Sequence, residues 1–188
     1  MSNFTIVGEI GEIIVDLLKA EFRRCDEFSP PITEIALGTP ELQENSVQTA
    51  KPQIIVFLYS IDKCPIYEDP DDLYSRLPLE LRYLMIAVAK EKSIEHKIAG
   101  KLMEVLNNNR TLAVGDHADK RGFVDAGQAA KINVASMPIE EKHKLWTAFP
   151  KIVDKTFVPY IVKPVVIVCP PPPAGARVEE VEYIIRDR

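Results

Sequence analysis

A chain of 188 residues, 46% hydrophobic, is long enough to bury one ordinary core and too short for two large ones, so one domain plus an appendage is expected. Charged residues make up 27% and the formal net charge is -5; lysines and arginines lie scattered among acids with no basic stripe, which sets aside nucleic-acid binding. The longest apolar runs, Ile54–Tyr59 and Val165–Cys169, fall far short of the roughly 20 residues of a membrane-spanning helix, and Cys25, Cys64 and Cys169 make neither a disulfide framework nor a zinc spacing.

Residues Met1 to Ile14 mix Glu9 and Glu12 into their apolar positions and carry no basic leader, so they do not read as a signal peptide and cytoplasmic assembly is expected. Ile6, Ile10, Ile13, Ile14, Leu17 and Leu18 recur at helical spacing, predicting an amphipathic first helix. Gly8 and Gly11 weaken it by about 1 kcal/mol each relative to alanine; they point either to close packing or to a poorly formed first turn. Pro30–Pro31 breaks the pattern, and Thr33–Leu37 reads as a short strand.

Gln53–Ile61 is β-branched, aromatic and apolar at nearly every position, which predicts a strand buried on both faces. Cys64 to Pro78, rich in Pro, Asp and Tyr, reads as a long exposed loop. Leu79–Ala89 is ambiguous: Leu, Met and Ala favour helix while the near-continuous apolar run favours a central strand, and periodicity does not decide. Ile94, Ile98, Leu102, Val105 and Leu106 trace one face of a helix with Ser93 as N-cap and Asn107–Asn109 as its end.

Residues 113–128, with Gly115, Gly122 and Gly127 amid charges, read as an excursion. Ala130–Met137 alternates as a strand does, and Pro138–Trp146 reads as a short helix with proline in its first turn. Val158–Cys169 is the last core strand, where Pro159 and Pro164 point to an edge position or a bulge. Pro170–Pro173 forms a stiff spacer. Beyond it Val181, Tyr183 and Ile185 alternate with Glu182, Ile184 and Arg186, a pattern suited to a half-buried strand that pairs with a sheet edge on a neighbouring subunit or folds back on its own sheet. The division is therefore a domain over 1–169 and a Pro-rich linker with a C-terminal arm over 170–188.

Candidate chemistry is sparse. Cys64 with His96 or His117 would make a thiol–imidazole pair, yet no third orienting group or glycine-rich nucleophile turn accompanies them, which favours a loop cysteine and surface histidines. The acidic run Glu68–Asp72 lacks the alternating ligands, turn glycine and closing glutamate of a calcium loop. Asp116, His117 and Asp119 sit beside Lys120 and Arg121, which disfavour a cation, and no phosphate-cradling glycine loop is present. No catalytic residue, cofactor or metal is therefore assigned. Trp146, among Ile139, Leu145 and Phe149, favours core packing over an interface anchor. Arg82, inside an apolar strand, needs a partner if buried or marks the approach of a neighbouring subunit.

Three blocks together resemble the N-terminal domain of cap proteins of extracellular contractile injection systems, of the antifeeding-prophage and virulence-cassette type. They are Ile54–Ser60; Leu77–Ala87 followed by Glu95–Leu106; and Met137–Phe149 followed by Pro159–Ile167. The second is the most specific, because the family pairs a Pro-Leu-x-Leu-x-Tyr-Leu strand with a helix carrying Glu, then Gly, then a closing Leu. The resemblance covers about residues 5–169 and makes Leu79–Ala89 a strand. It implies an α/β (α+β) fold, a mixed β-sheet flanked by helices as in phage tail terminators. It also implies a non-enzymatic cap subunit in a six-fold ring, with itself and the terminal inner-tube and sheath subunits as partners, first cytoplasmic and then part of the particle. A connector or sheath-associated adaptor of the same particle and a cytosolic thiol enzyme using Cys64 are the alternatives. Larger relatives carry a substantial C-terminal extension where this chain has its tetraproline and a short arm.

Overall fold

The computed structural model describes residues 5–28, 31–32, 34–40, 51–65, 76–112 and 130–168. In chain order the elements are α1 (Ile6–Arg23), β1 (Glu34–Leu37), β2 (Gln53–Lys63), β3 (Arg76–Val88), α2 (Lys92–Asn108), β4 (Thr111–Leu112), β5 (Ala130–Val134), α3 (Ile139–Ala148), a 3-10 turn at Pro150–Ile152 and β6 (Thr156–Val168). The strands form one sheet of order β1-β2-β3-β6-β5-β4. Its β1–β2 pair is parallel and the other pairs are antiparallel, so the fold is the expected mixed sheet with helices.

The inner face of the sheet is the main core. Ile54 and Val56 of β2, Leu81, Tyr83 and Met85 of β3, and Tyr160 and Val162 of β6 alternate along their strands to meet the apolar stripe of α1 (Ile10, Ile14, Leu18, Phe22) and that of α2 (Ile98, Leu102, Val105, Leu106). The outer face holds a smaller cluster of Ile55, Phe57, Leu84, Ile86, Met137 and Ile152, against which Leu145, Trp146 and Phe149 pack. Having helices on both sides explains why residues 83–87 of β3 and the first half of β2 read as apolar runs: both faces of those segments are buried. The ambiguous segment is a strand as far as Val88, and the sheet explains it: a strand between two others has its backbone donors and acceptors paired on both sides wherever the ladders are regular.

Gly11 of α1 lies where β1 crosses. A Cβ there would stand 2.9 and 3.1 Å from the methyls of Leu37, so this glycine serves close packing. Gly8 would meet nothing within 4 Å.

Several boundaries differ from the sequence reading. Cys64 is buried, its amide donating to the Pro78 carbonyl at 2.9 Å, and β3 already begins at Arg76; both ends of the expected loop Cys64–Pro78 therefore belong with the sheet, because the β2–β3 ladder continues past the apolar run, and residues 66–75 lie outside the described residues. The helix α2 starts one residue ahead of Ser93, with Glu91 as an extended cap residue, and Pro138 caps α3 instead of occupying its first turn. Residues 135–137 lie beyond the β5 ladder. The two prolines of β6 do not put it on an edge, since it lies between β3 and β5. Pro159 turns its carbonyl to the β5 side, where it accepts the Ala135 amide at 2.9 Å, so its missing N–H falls just past the end of β5. Pro164 lies in a bulge, where Lys163 and Pro164 stand opposite the single residue Glu80.

Candidate functional site

Both strands that flank β3 are irregular at the same level. On β2 the register steps from Leu58↔Tyr83 to Ser60↔Arg82, leaving Tyr59 as the extra residue, and on β6 the step falls between Val162 and Val165. One inserted residue exchanges the two faces of everything beyond it. Asp62, which regular pairing would turn toward the inner face, therefore joins Glu80 and Arg82 on the outer face.

Asp62 and Glu80 are direct cross-strand partners, and like charges so placed repel. Arg82 resolves this by bonding both. Its Nε lies 3.2 Å from Asp62 Oδ2 and its Nη2 lies 3.0 Å from Glu80 Oε1. The other oxygen of Glu80 takes Lys163 Nζ at 2.8 Å. Glu80 is 8% exposed at its side chain, against 34% for Arg82 and 36% for Lys163, so a nearly buried carboxylate is satisfied on both oxygens by cations that reach water. From α3, Glu141 Oε1 accepts the Tyr59 hydroxyl at 3.4 Å and lies 3.8 Å from Arg82 Nη1. Burial, and then the charge of Glu141, raises the Tyr59 phenol above its ordinary value. Burial alone would lower Arg82; the charges of Glu80, Tyr59 and Asp62 outweigh it and leave the guanidinium raised.

A second buried acid pins the opposite end of the sheet. Glu95, fully buried in the first turn of α2, accepts the Ala89 amide at 3.3 Å, Lys92 Nζ at 2.8 Å and the Thr156 hydroxyl at 3.4 Å. Lys92 also donates to the Asp154 carbonyl. The end of β3, the start of α2 and the start of β6 thus share one carboxylate, at the helix end where the backbone dipole favours negative charge.

Of the residues singled out in sequence, Arg82 finds its partners within the chain. Val181, Tyr183 and Ile185 lie outside the described residues, as do His117, Asp116, Asp119 and the acidic run Glu68–Asp72. The pairing of Cys64 with His96 does not form. Cys64 adjoins Pro78 near the start of β3, and His96 follows its end on α2, roughly 30 Å away for ten residues of strand. Trp146 is half-buried and packs against the outer-face cluster, edge-on to His143 with ring centroids 5.2 Å apart. Among the described residues no group of three or more His, Cys, Asp and Glu is placed to hold a metal ion, and no helix is long and apolar enough to cross a membrane. Sequence reasoning missed Glu80 and Glu95. Glu80 lies two residues from Arg82, on the same face of a strand, and Glu95 falls in line with Ile98, Leu102 and Leu106 on the buried face of α2; both spacings were readable.

The fold has counterparts among solved structures. The chain is similar to the sheath/tube terminator of an extracellular contractile injection system, PVC, in its extended state, with TM-score 0.53 and 16% identity over 94% of this chain and 63% of that one. It is also similar to the tube-terminating cap of the anti-feeding prophage, with TM-score 0.55 and 14% identity over 94% of this chain and 60% of that one. The chain thus spans about three-fifths of the length of these proteins. No curated protein sequence matches it. The model of the Pvc16 N-terminal domain family matches residues 9–180, from within α1 through β6, and so takes in the whole described sheet. The chain belongs to the Pvc16 N-terminal domain family.

Proposed function

We propose that this protein is a structural cap: a tail-terminator subunit that closes the baseplate-distal end of the tube and sheath of a contractile injection system and performs no chemical step. The observation that carries this reading is the likeness of fold over 94% of the chain to two proteins named as a sheath/tube terminator and a tube-terminating cap. The chain assembles in the cytoplasm with copies of itself into a six-fold ring, because a head-to-tail interface that closes by rotation leaves free faces above and below for tube and sheath. Arg82 and Asp62, at the water-exposed rim of the charged cluster, and the arm residues Val181, Tyr183 and Ile185 are assigned to contacts with neighbouring subunits. The arm adds a strand to a neighbour's sheet edge, with main-chain hydrogen bonds for affinity and alternate apolar side chains for register.

Electron microscopy of particles from cells with and without the chain tests the cap. Deletion is expected to leave sheath and tube absent or irregular in length, and labelled protein is expected at the blunt end of the particle. Particles of uniform, normal length without the chain, or label along the sheath or at the baseplate, would refute the reading; the latter result would point to an adaptor.

A further inference from the structure

α3 covers the apolar outer face without entering it. None of its ten residues is buried, while the residues on either side of it, Met137 and Ile152, are 8% and 1% exposed. Prolines stand at both ends, Pro138 as its cap and Pro150 at the start of the 3-10 turn. What holds it down is one row of side chains, Leu145, Trp146 and Phe149, the last meeting Phe57 edge-on at 5.2 Å. Its polar ties to the sheet are long, 3.4 Å from Tyr59 to Glu141 and 3.8 Å from Arg82 to Glu141, and so contribute little. Among the described residues the buried indole nitrogen of Trp146 has no hydrogen-bond acceptor, a desolvation cost paid only while the helix is down. Ile139 and Val153, at its two ends, are 53% and 55% exposed, so the strap does not bury its own apolar flanks.

We infer that residues 138–149 form a detachable strap that lifts from the outer face as one unit, between the fixed pins Met137 and Ile152, while the six-stranded sheet and its inner core stay folded. A ten-residue helix has little stability of its own in water, so the lifted strap loses its helix as it leaves. Lifting uncovers Ile55, Phe57, Leu84 and Ile86 at the centre of the sheet. This does not depend on the capping role and concerns the isolated chain.

Trp146 is the only tryptophan, so its emission reports the strap and nothing else. In a urea titration of the full chain, the emission is expected to shift red at lower urea than the far-UV circular dichroism of the sheet is lost. The dye ANS is expected to bind in the interval between the two transitions. By hydrogen-exchange mass spectrometry the amides of α3 exchange at least about 100-fold faster than those at the centres of β3 and β6, as separate opening units do. Leu145→Ala speeds exchange of α3 about tenfold or more and leaves the β3 amides unchanged. Coincident fluorescence and dichroism transitions, or α3 amides exchanging at the rate of β3, would overturn the inference.

Discussion

Replacing Glu80 by glutamine keeps the size of the side chain and removes its charge. The wild-type carboxylate accepts Arg82 on one oxygen and Lys163 on the other; the amide can accept only one of them and points its NH2 at the second cation. Breaking a fully buried ion pair by removing one partner costs about 3–5 kcal/mol. Here only Glu80 is buried, the cations are about a third exposed, and Asp62 still holds Arg82 at 3.2 Å, so water and Asp62 recover part of that loss. We expect a destabilisation of about 2 kcal/mol, below the fully buried range and above that of an exposed pair because the site is half-screened. For a chain of this length that lowers Tm by about 4–8 °C. Chemical denaturation followed by far-UV circular dichroism measures it, and a cycle with Lys163→Met isolates the pair, with an expected coupling of about 1 kcal/mol. A Glu80→Gln variant within about 0.5 kcal/mol of wild type, or a cycle whose effects simply add, would show that the cluster is a surface decoration and not a support of the bulged strands.

Tyr83 and Tyr160 face each other on β3 and β6 with both hydroxyls buried and, among the described residues, without hydrogen-bond partners. Burial raises both phenols, Tyr160 to about 12, while the unfolded chain ionises near 10. The folded state therefore holds these protons longer, and their stability contribution is complete below about pH 10 and is lost as pH rises through 10 toward 12. Absorbance titration should find two of the six tyrosines ionising only with alkaline unfolding, and the double variant Tyr83→Phe, Tyr160→Phe should remove that part of the alkaline loss. Gly100, in the middle of α2, would place a Cβ in open space, so Gly100→Ala is expected to stabilise the isolated domain by about 1 kcal/mol in thermal or chemical melts; no gain would mean that the local helix is not the limiting structure. Truncation after Cys169 is expected to leave the melting temperature of the isolated domain unchanged and to abolish capping of particles. A strongly destabilised truncated monomer would instead assign the arm to its own sheet.

Local chemistry alone identified most of the elements. The 3.6-residue apolar rows of α1 and α2 and the β-branched runs of β2 and β6 are properties of consecutive residues, and a helix or strand satisfies them in any context that buries one side. The three resembling blocks likewise carried the family, since their order along the chain survives without coordinates. Tertiary structure decided the rest. Whether Leu79–Ala89 was strand or helix depended on two neighbours pairing with it and two layers covering it, and no window of sequence contains those. That β6 is interior in spite of Pro159 and Pro164 depended on where β5 ends and on a bulge opposite Glu80. The charged cluster is the clearest case. Asp62, Glu141 and Lys163 come from three other elements to the neighbouring Glu80 and Arg82 of β3, and an insertion of one residue at Tyr59 decides which face Asp62 presents. Side-chain polarity announces that Arg82 needs a partner, because burying an unpaired charge is costly, and the two-residue spacing puts Glu80 on its face; that Asp62 and Lys163 join them is fixed by strand register, a long-range quantity that only the folded sheet sets.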